Sequence, residues 1–177
     1  MQCLVRRNII GAYAMESHVL ASPVYLVVTD LDGSLLDHDT YTCEPAQPML
    51  EQLEALRIPV VFASSKTRAE ILALRAGLGN DHPFIVENGA AALIPARYFT
   101  RMPDGCVERD GYWVRDFAPP RAAWTALLDG LRGRWPGAFQ DFSSTGVEGV
   151  MAMTGLSRDA AALANEREYS EPLQWRG

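Results

Sequence analysis

The chain has 177 residues, of which 48% are hydrophobic and 21% charged, and its formal net charge is -6. These values are typical of a globular protein with one good core, or with one core and a small second unit. The acidic balance and the lack of a basic stripe argue against nucleic-acid binding, and no apolar run approaches the length of a membrane span.

The first residues are predicted to be an extension, over 1–22, that precedes the fold. Arg6 and Arg7 stand before an apolar patch at 9–14, which faintly resembles a signal peptide but is too short and too mixed to be a convincing one. Met15 offers an alternative start of translation. The three cysteines are scattered and odd in number, so they indicate neither a disulfide framework nor a zinc site. We therefore expect a reduced, cytoplasmic protein.

The β-branched run at 24–28 predicts a fully buried strand that ends in two carboxylates, Asp30 and Asp32. Buried parallel strands deliver functional groups at their carboxyl ends, where open α/β sheets bind ligands. In an extended chain these two side chains would face opposite ways. A turn that begins at Leu31 and is eased by Gly33 can bring both of them to one pocket.

Paired carboxylates at a strand end suit metal-assisted phosphoryl transfer. One can attack phosphorus and form an aspartyl-phosphate, while the other protonates the leaving oxygen and then assists an attacking water. Mg²⁺ would offset the repulsion between an anionic nucleophile and an anionic substrate. The alternatives are an acidic turn and a calcium-binding EF-hand loop. The EF-hand pattern does not fit, because Gly33 is fourth where the sixth position is required, and Tyr41 stands where glutamate is required.

Two helices and a second strand are predicted to follow. The first helix begins at Pro45, and its apolar face recurs at helical spacing through Met49, Leu50, Leu53 and Leu56. The run at 59–63 is a second buried strand. Thr67 and Glu70 fit a capping box that begins the next helix, which is expected to end near Gly79.

The end of the second strand is predicted to share an edge of the sheet with Asp30, because strand, helix and strand in this spacing form a parallel βαβ unit. There the hydroxyl of Ser64 can donate to a phosphate oxygen, and Lys66 can add positive charge. A turn or helix-cap serine is the alternative for Ser64, and spacing alone leaves the two equally open. A third strand at 84–86 leads to the turn signal Asn88-Gly89 and a hairpin.

Residues 97–177 are predicted to form a second unit, because the composition changes at Arg97 and a Pro-Asp-Gly run follows. Its expected elements are a strand at 111–114, a helix after Pro120, a short strand or loop at 139–142, a helix at 147–153 and a final helix capped by Ser157. Four tryptophans in this region are expected to pack a small core.

The motif D-L-D-G-S-L-L-D after a hydrophobic strand resembles the first motif of the haloacid dehalogenase phosphatase superfamily, and E-N-G-A is similar to the hairpin after which many members carry a cap. Three further stretches resemble more narrowly its mannosyl-3-phosphoglycerate phosphatase group: S-S-K-T-R-A-E, T-G-L-S-R-D-A-A-A-L-A and Y-S-E-P-L-Q-W. The resemblance implies an α/β fold with a Rossmann-like parallel sheet core at 23–96. It also implies an inserted α+β cap at 97–177, with core and cap both incomplete.

The resemblance further implies a Mg²⁺-dependent phosphatase that hydrolyses mannosyl-3-phosphoglycerate, or the glucosyl analogue, through an aspartyl-phosphate. Asp30 would be the nucleophile and a metal ligand. Asp32 would be the acid and base, and its backbone carbonyl would be a second metal ligand. Ser64 would hold the phosphate, with assistance from Lys66.

Substrate contacts are implied for two further residues. Asn88 would line the pocket near the cap, and Arg167 lies in the cap region that could hold the glycerate end, where an arginine fork suits a carboxylate. The expected partner is thus a small phosphorylated sugar acid, with no nucleic acid and no membrane. The oligomeric state is not predicted.

Two alternatives stay open. One is a phosphatase of another sugar phosphate, since the core motifs are shared and the cap sets specificity. The other is a non-catalytic remnant that binds a phosphorylated ligand or a partner chain. It is favoured because the family's later lysine and its G-D-x-x-N-D motif match nothing in this sequence. We expect the 177-residue chain by itself to fold poorly, because the sheet would stop after the strands before the cap and expose an apolar edge and face. We also expect it to be nearly inactive, because that lysine and that acidic motif are missing.

Overall fold

One mixed sheet of seven strands organises the part of the chain that the computed structural model describes, residues 3–4, 25–37 and 42–176. In chain order its strands are β1 (Cys3–Leu4), β2 (Val27–Thr29), β3 (Val60–Ala63), β4 (Phe84–Val86), β5 (Ala91–Pro95), β6 (Val107–Arg109) and β7 (Tyr112–Asp116). A separate pair is formed by β8 (Phe139–Asp141) and β9 (Leu173–Trp175). The helices of this part are α1 (Gln47–Ala55), α2 (Arg68–Leu78), α3 (Arg121–Arg132), α4 (Phe142–Thr154) and α5 (Arg158–Asn165). The predicted extension at 1–22 lies outside the described residues, except for Cys3 and Leu4.

The central strands β2, β3 and β4 run parallel, with Thr29 opposite Phe62 and Phe62 opposite Phe84. The helices α1 and α2 form the crossovers that parallel pairing requires. The strand order is β1-β2-β3-β4-β5-β7-β6, and the outer neighbours pair antiparallel. The carboxyl ends of three neighbouring strands therefore lie at one edge, and the predicted α/β class is confirmed.

The helix α2 confirms the local signals read from its sequence. The Thr67 hydroxyl accepts a hydrogen bond from the Glu70 amide, and the Glu70 carboxylate accepts one from the Thr67 amide, which completes the capping box. At the other end Gly79 adopts a left-handed conformation, with φ of 60°. Both termini are therefore fixed by the cap residues that directly flank the helix.

The helix α1 differs from its prediction. It begins at Gln47, and the proline of its first turn is Pro48 rather than Pro45, because residues 44–46 form a turn instead. Of the expected apolar face, Leu50 and Leu53 pack against the core. The other two residues, Met49 and Leu56, are 53% and 62% exposed.

The main core lies against the central strands. Its most enclosed members, all at most 2% exposed, are Leu31, Phe62, Ile71, Phe84, Val86, Ala91, Leu93 and Val114. The strand β2 was predicted to be fully buried, but each of its residues is half-buried. Val27 packs against the core. The side chain of Val28 alternates to the opposite face, which the described residues cover only in part.

Strands from the predicted second unit join the same sheet. β7 pairs with β5 over five residue pairs, from Ala91 opposite Asp116 to Pro95 opposite Tyr112, and β6 completes the edge. The division at residue 97 therefore does not coincide with a break in the sheet, and the assignment of 97–177 to a cap stays a prediction.

The helical part of 97–177 has a small core of its own. It consists of Phe142, Val150, Ala161 and Ala164, from α4 and α5. The tryptophans do not form it: Trp113 is buried, whereas Trp124, Trp135 and Trp175 are 38%, 41% and 58% exposed. α4 starts earlier than predicted, at Phe142, with a break at Gly146. Within the described residues no helix is long and apolar enough to cross a membrane.

Candidate active site

Three polar side chains that are candidates for a functional site follow three neighbouring parallel strands. Asp30 comes directly after β2, Ser64 after β3 and Glu87 after β4. The amide of Ser64 donates to the carbonyl of Ile85 at 3.2 Å, which ties the ends of β3 and β4 together. The sheet edge predicted from the sequence is therefore the place where these groups gather.

The loop after β2 is anchored by its leucines and exposes its carboxylates. Leu31, Leu35 and Leu36 are all at most 9% exposed, and the carbonyl of Leu31 accepts from the amides of Leu35 and Leu36 at 3.1 and 2.8 Å. Asp30 and Asp32, on either side of Leu31, are exposed. The buried leucines of D-L-D-G-S-L-L-D thus fix the loop and leave both carboxylates exposed.

Gly33 allows that loop to turn. Its φ of 69° is a left-handed value that residues with a Cβ rarely adopt. Its amide donates to the carbonyl of Leu36 at 3.1 Å, and Asp30 Oδ1 accepts from the amide of Leu31 at 2.7 Å. The turn expected at Leu31 and Gly33 is present.

The structure brings the predicted phosphate-binding loop next to Asp32. Lys66 Nζ lies 3.0 Å from Asp32 Oδ1 and 3.9 Å from Glu70 Oε1. Ser64 is only 4% exposed, and its Oγ accepts from the amide of Lys66 at 3.3 Å. That bond is also what a turn serine would make, so it leaves both interpretations of Ser64 open.

Glu87 is the residue that reasoning from the sequence missed. Its side chain is fully buried and accepts from the amides of Glu168, Tyr169 and Ser170 at 2.8, 3.2 and 2.8 Å, and from the hydroxyl of Ser170. A buried carboxylate needs such partners. The available signal was a glutamate directly before Asn88, at the end of a buried strand. The sequence pattern around this glutamate indicates only a turn.

The two weaker candidates, Asn88 and Arg167, lie near this edge. Arg167 Nη1 donates to the carbonyl of Ser65 at 3.2 Å and to Ser170 Oγ at 2.9 Å, and it lies 3.6 Å from Glu87 Oε2. Its contacts are thus with the protein's own loops, and its side chain is 12% exposed. Asn88 is exposed at an open depression of about 460 Å³, between the turn after β4, α3 and the segment before β9.

Hydrogen bonds to charged side chains hold the segment before β9 to the strands β6 and β7. The Tyr169 hydroxyl donates to Asp116 Oδ1 at 2.6 Å and accepts from Arg109 Nη1 at 3.1 Å. Burial, followed by the bond to Asp116, raises the pKa of Tyr169 from 10.0 to about 12. Burial also raises the pKa of Glu168, although Arg68 opposes the change.

The loop after β2 offers carboxylate and carbonyl oxygens, which are the ligands that Mg²⁺ prefers. They are few in number. Among the described residues no three side chains of His, Cys, Asp or Glu cluster as a metal site. The Asp30 carboxylate and the Asp32 carbonyl would therefore supply part of a magnesium shell.

The sequence of the core is similar to that of a known family. Residues 27–99 match the sequence model of the haloacid dehalogenase-like hydrolases. That segment contains Asp30, Asp32, Ser64 and Lys66, together with β2 to β5. Over these residues the chain is similar in sequence to the haloacid dehalogenase-like hydrolases, and its fold there is α/β.

Two curated relatives extend the similarity beyond that segment. A glucosyl-3-phosphoglycerate/mannosyl-3-phosphoglycerate phosphatase of Methanococcoides burtonii is 38% identical over 150 residues, which is 85% of this chain and 55% of the relative. A phosphatase of the same name from Persephonella marina is 34% identical over 152 residues, 84% of this chain and 54% of the relative. The chain thus spans about half the length of these curated relatives. A solved haloacid dehalogenase-like hydrolase from B. subtilis is 16% identical, with a TM-score of 0.46 over 85% of this chain and 59% of that one.

Proposed function

We propose that this chain carries the catalytic loops of a Mg²⁺-dependent phosphatase that acts on mannosyl-3-phosphoglycerate or glucosyl-3-phosphoglycerate. The observation that carries the proposal is the 3.0 Å contact between Lys66 Nζ and Asp32 Oδ1. It joins the exposed loop of Asp30 and Asp32 to the loop of Ser64 and Lys66, which follows the neighbouring strand. The substrate is inferred from the names of the two curated relatives.

The proposed reaction has two displacements on phosphorus. A carboxylate oxygen of Asp30 attacks the phosphate ester, the bond from phosphorus to the leaving oxygen breaks, and Asp32 gives that oxygen its proton. Asp32 then takes a proton from a water that attacks the aspartyl-phosphate. The bond from phosphorus to Asp30 breaks, which restores the carboxylate and releases orthophosphate.

The remaining groups supply positive charge and hydrogen bonds. Ser64 and Lys66 would hold the oxygens of the phosphate, and Mg²⁺, held by Asp30 and the carbonyl of Asp32, would offset the negative charge of the nucleophile and substrate. A cytoplasmic location completes the proposal. It is supported by Cys43 and Cys106, which form no disulfide among the described residues.

The test is orthophosphate release from the two phosphoglycerate glycosides, with and without Mg²⁺, at high protein concentration because turnover is expected to be slow. Asp30→Asn should abolish the release. Asp37→Asn is the matched control, since Asp37 is an exposed aspartate at the end of the same loop and has no proposed role. Release that is equal in the unaltered chain and in Asp30→Asn would contradict the proposal.

A further inference from the structure

Glu87 joins two segments that are far apart in the sequence. Its carboxylate accepts from the amides of Glu168, Tyr169 and Ser170, as described above. Its own amide donates to the carbonyl of Lys66 at 3.0 Å, and the next amide, of Asn88, donates to the carbonyl of Ser64 at 2.9 Å. One turn therefore holds the 168–170 segment with its side chain and the 64–66 loop with its backbone.

Arg167 contacts both the 64–66 loop and Glu87. Its two terminal nitrogens donate to the carbonyl of Ser65 at 3.2 and 3.3 Å, while Nη1 lies 3.6 Å from Glu87 Oε2. The 64–66 loop, the turn at Glu87 and the segment from Arg167 to Ser170 thus each contact the other two.

The backbone at this turn is unusual. Glu87 has φ of 48° and Asn88 has φ of 61°, so two successive residues with side chains are left-handed. Asparagine tolerates that conformation, but glutamate has no local hydrogen bond that would favour it. Strained backbone conformations of this kind persist where contacts with the surrounding structure hold them in place. Here the surroundings are the hydrogen bonds to both segments.

We infer that Glu87 is a positioning residue, which holds the 64–66 loop in place by coupling it to the 167–170 segment. The inference rests on the proposed function, in which Ser64 and Lys66 contact the phosphate of the substrate. Because those contacts are made in both the ground state and the transition state, loosening the loop should raise KM and leave kcat nearly unchanged.

The first experiment measures the coupling itself by amide hydrogen exchange at Asn88, whose amide donates to Ser64. Glu87→Gln places an amide group against backbone donors, so this exchange should become at least about tenfold faster, the equivalent of one net hydrogen bond. Glu171→Gln is the matched control. Its side chain is 1% exposed and holds the end of the same segment through different partners, Arg121 and the amide of Ser143.

Each outcome of that comparison has a meaning. Faster exchange at Asn88 in Glu87→Gln, but not in Glu171→Gln at equal loss of global stability, supports the coupling. Equal exchange in the two variants, or unchanged exchange in Glu87→Gln, overturns it. If Glu87→Gln does not fold, Ser170→Ala removes a single donor to the same carboxylate and should produce a smaller change in the same direction.

The second experiment measures KM and kcat for the phosphoglycerate glycosides in the same variants. Glu87→Gln should raise KM about tenfold with kcat nearly unchanged, while Glu171→Gln should leave both unchanged. A coupling seen by exchange together with an unaltered KM would overturn the positioning role. If the unaltered chain releases no more phosphate than Asp30→Asn, the proposed function fails. The exchange experiment still decides whether Glu87 holds the loop.

Discussion

The ammonium group of Lys66 lies 3.0 Å from the Asp32 carboxylate, so an ion pair joins the loops that follow β2 and β3. The side chains are 20% and 39% exposed. Ion pairs of such accessibility contribute little to stability, about 0–1 kcal/mol. Their juxtaposition is more informative about function, because it places the only lysine of the chain beside the proposed acid and base.

Lys66→Gln should therefore separate function from stability. We expect the free energy of unfolding to change by no more than about 1 kcal/mol. We expect KM for a phosphate ester to rise, because the substitution removes a charge that would face the phosphate. Urea unfolding and initial rates measure the two effects, and Lys66→Arg should retain part of the affinity. An unchanged KM in Lys66→Gln would show that the lysine does not contact substrate.

Arg121 should be a major contributor to stability. It pairs with the Glu171 carboxylate, which is 1% exposed, and donates to the carbonyl of Asn165 at 2.6 Å. Arg121→Met would leave a buried charge without its partner, which typically costs about 3–5 kcal/mol. Asp129→Asn is the control, because it breaks an exposed pair with Arg132 and should cost less than about 1 kcal/mol. Equal losses in chemical unfolding would contradict this ranking.

Thr67 both caps α2 and binds the end of α5. Its hydroxyl accepts from the amide of Glu70 at 3.1 Å and donates to the carbonyl of Leu163 at 2.8 Å. Thr67→Val keeps the shape and removes both bonds, so it should lower the free energy of unfolding by about 1–3 kcal/mol. Thr67→Ser keeps the hydroxyl and should lose much less. A thermal or urea series in which the two variants are equally stable would refute the assignment.

Tyr169 should make stability depend on pH in the alkaline range. Its pKa is raised from 10.0 to about 12, so the folded state holds the phenol proton more tightly than the unfolded chain does. The resulting stabilisation is complete below pH 10 and is lost as the pH rises toward 12. The difference in stability between the unaltered chain and Tyr169→Phe should therefore be constant below pH 10 and shrink above it. Tyr25→Phe, at a 38% exposed site, is the control. A difference in stability that does not vary with pH would contradict a raised pKa of Tyr169 in the folded state.

The elements that the sequence predicted well are those fixed by neighbouring residues. The capping box of α2, the left-handed Gly79 at its end and the Ser157 cap of α5 all involve hydrogen bonds that span a few residues. The loop at Asp30 and Asp32 belongs to the same class, because Leu31, Leu35 and Leu36 anchor it locally. Short-range patterns of this kind can be read without knowing what the rest of the chain does.

Which residues these helices and loops contact depends on the tertiary structure and could not be predicted from the sequence. Met49 and Leu56 share the helical spacing of Leu50 and Leu53, but only the latter two meet the core, because packing depends on where the sheet lies. The role of Glu87 is the clearest case. The donors that surround its carboxylate come from residues more than 80 positions away in the chain, and no local pattern encodes such a contact.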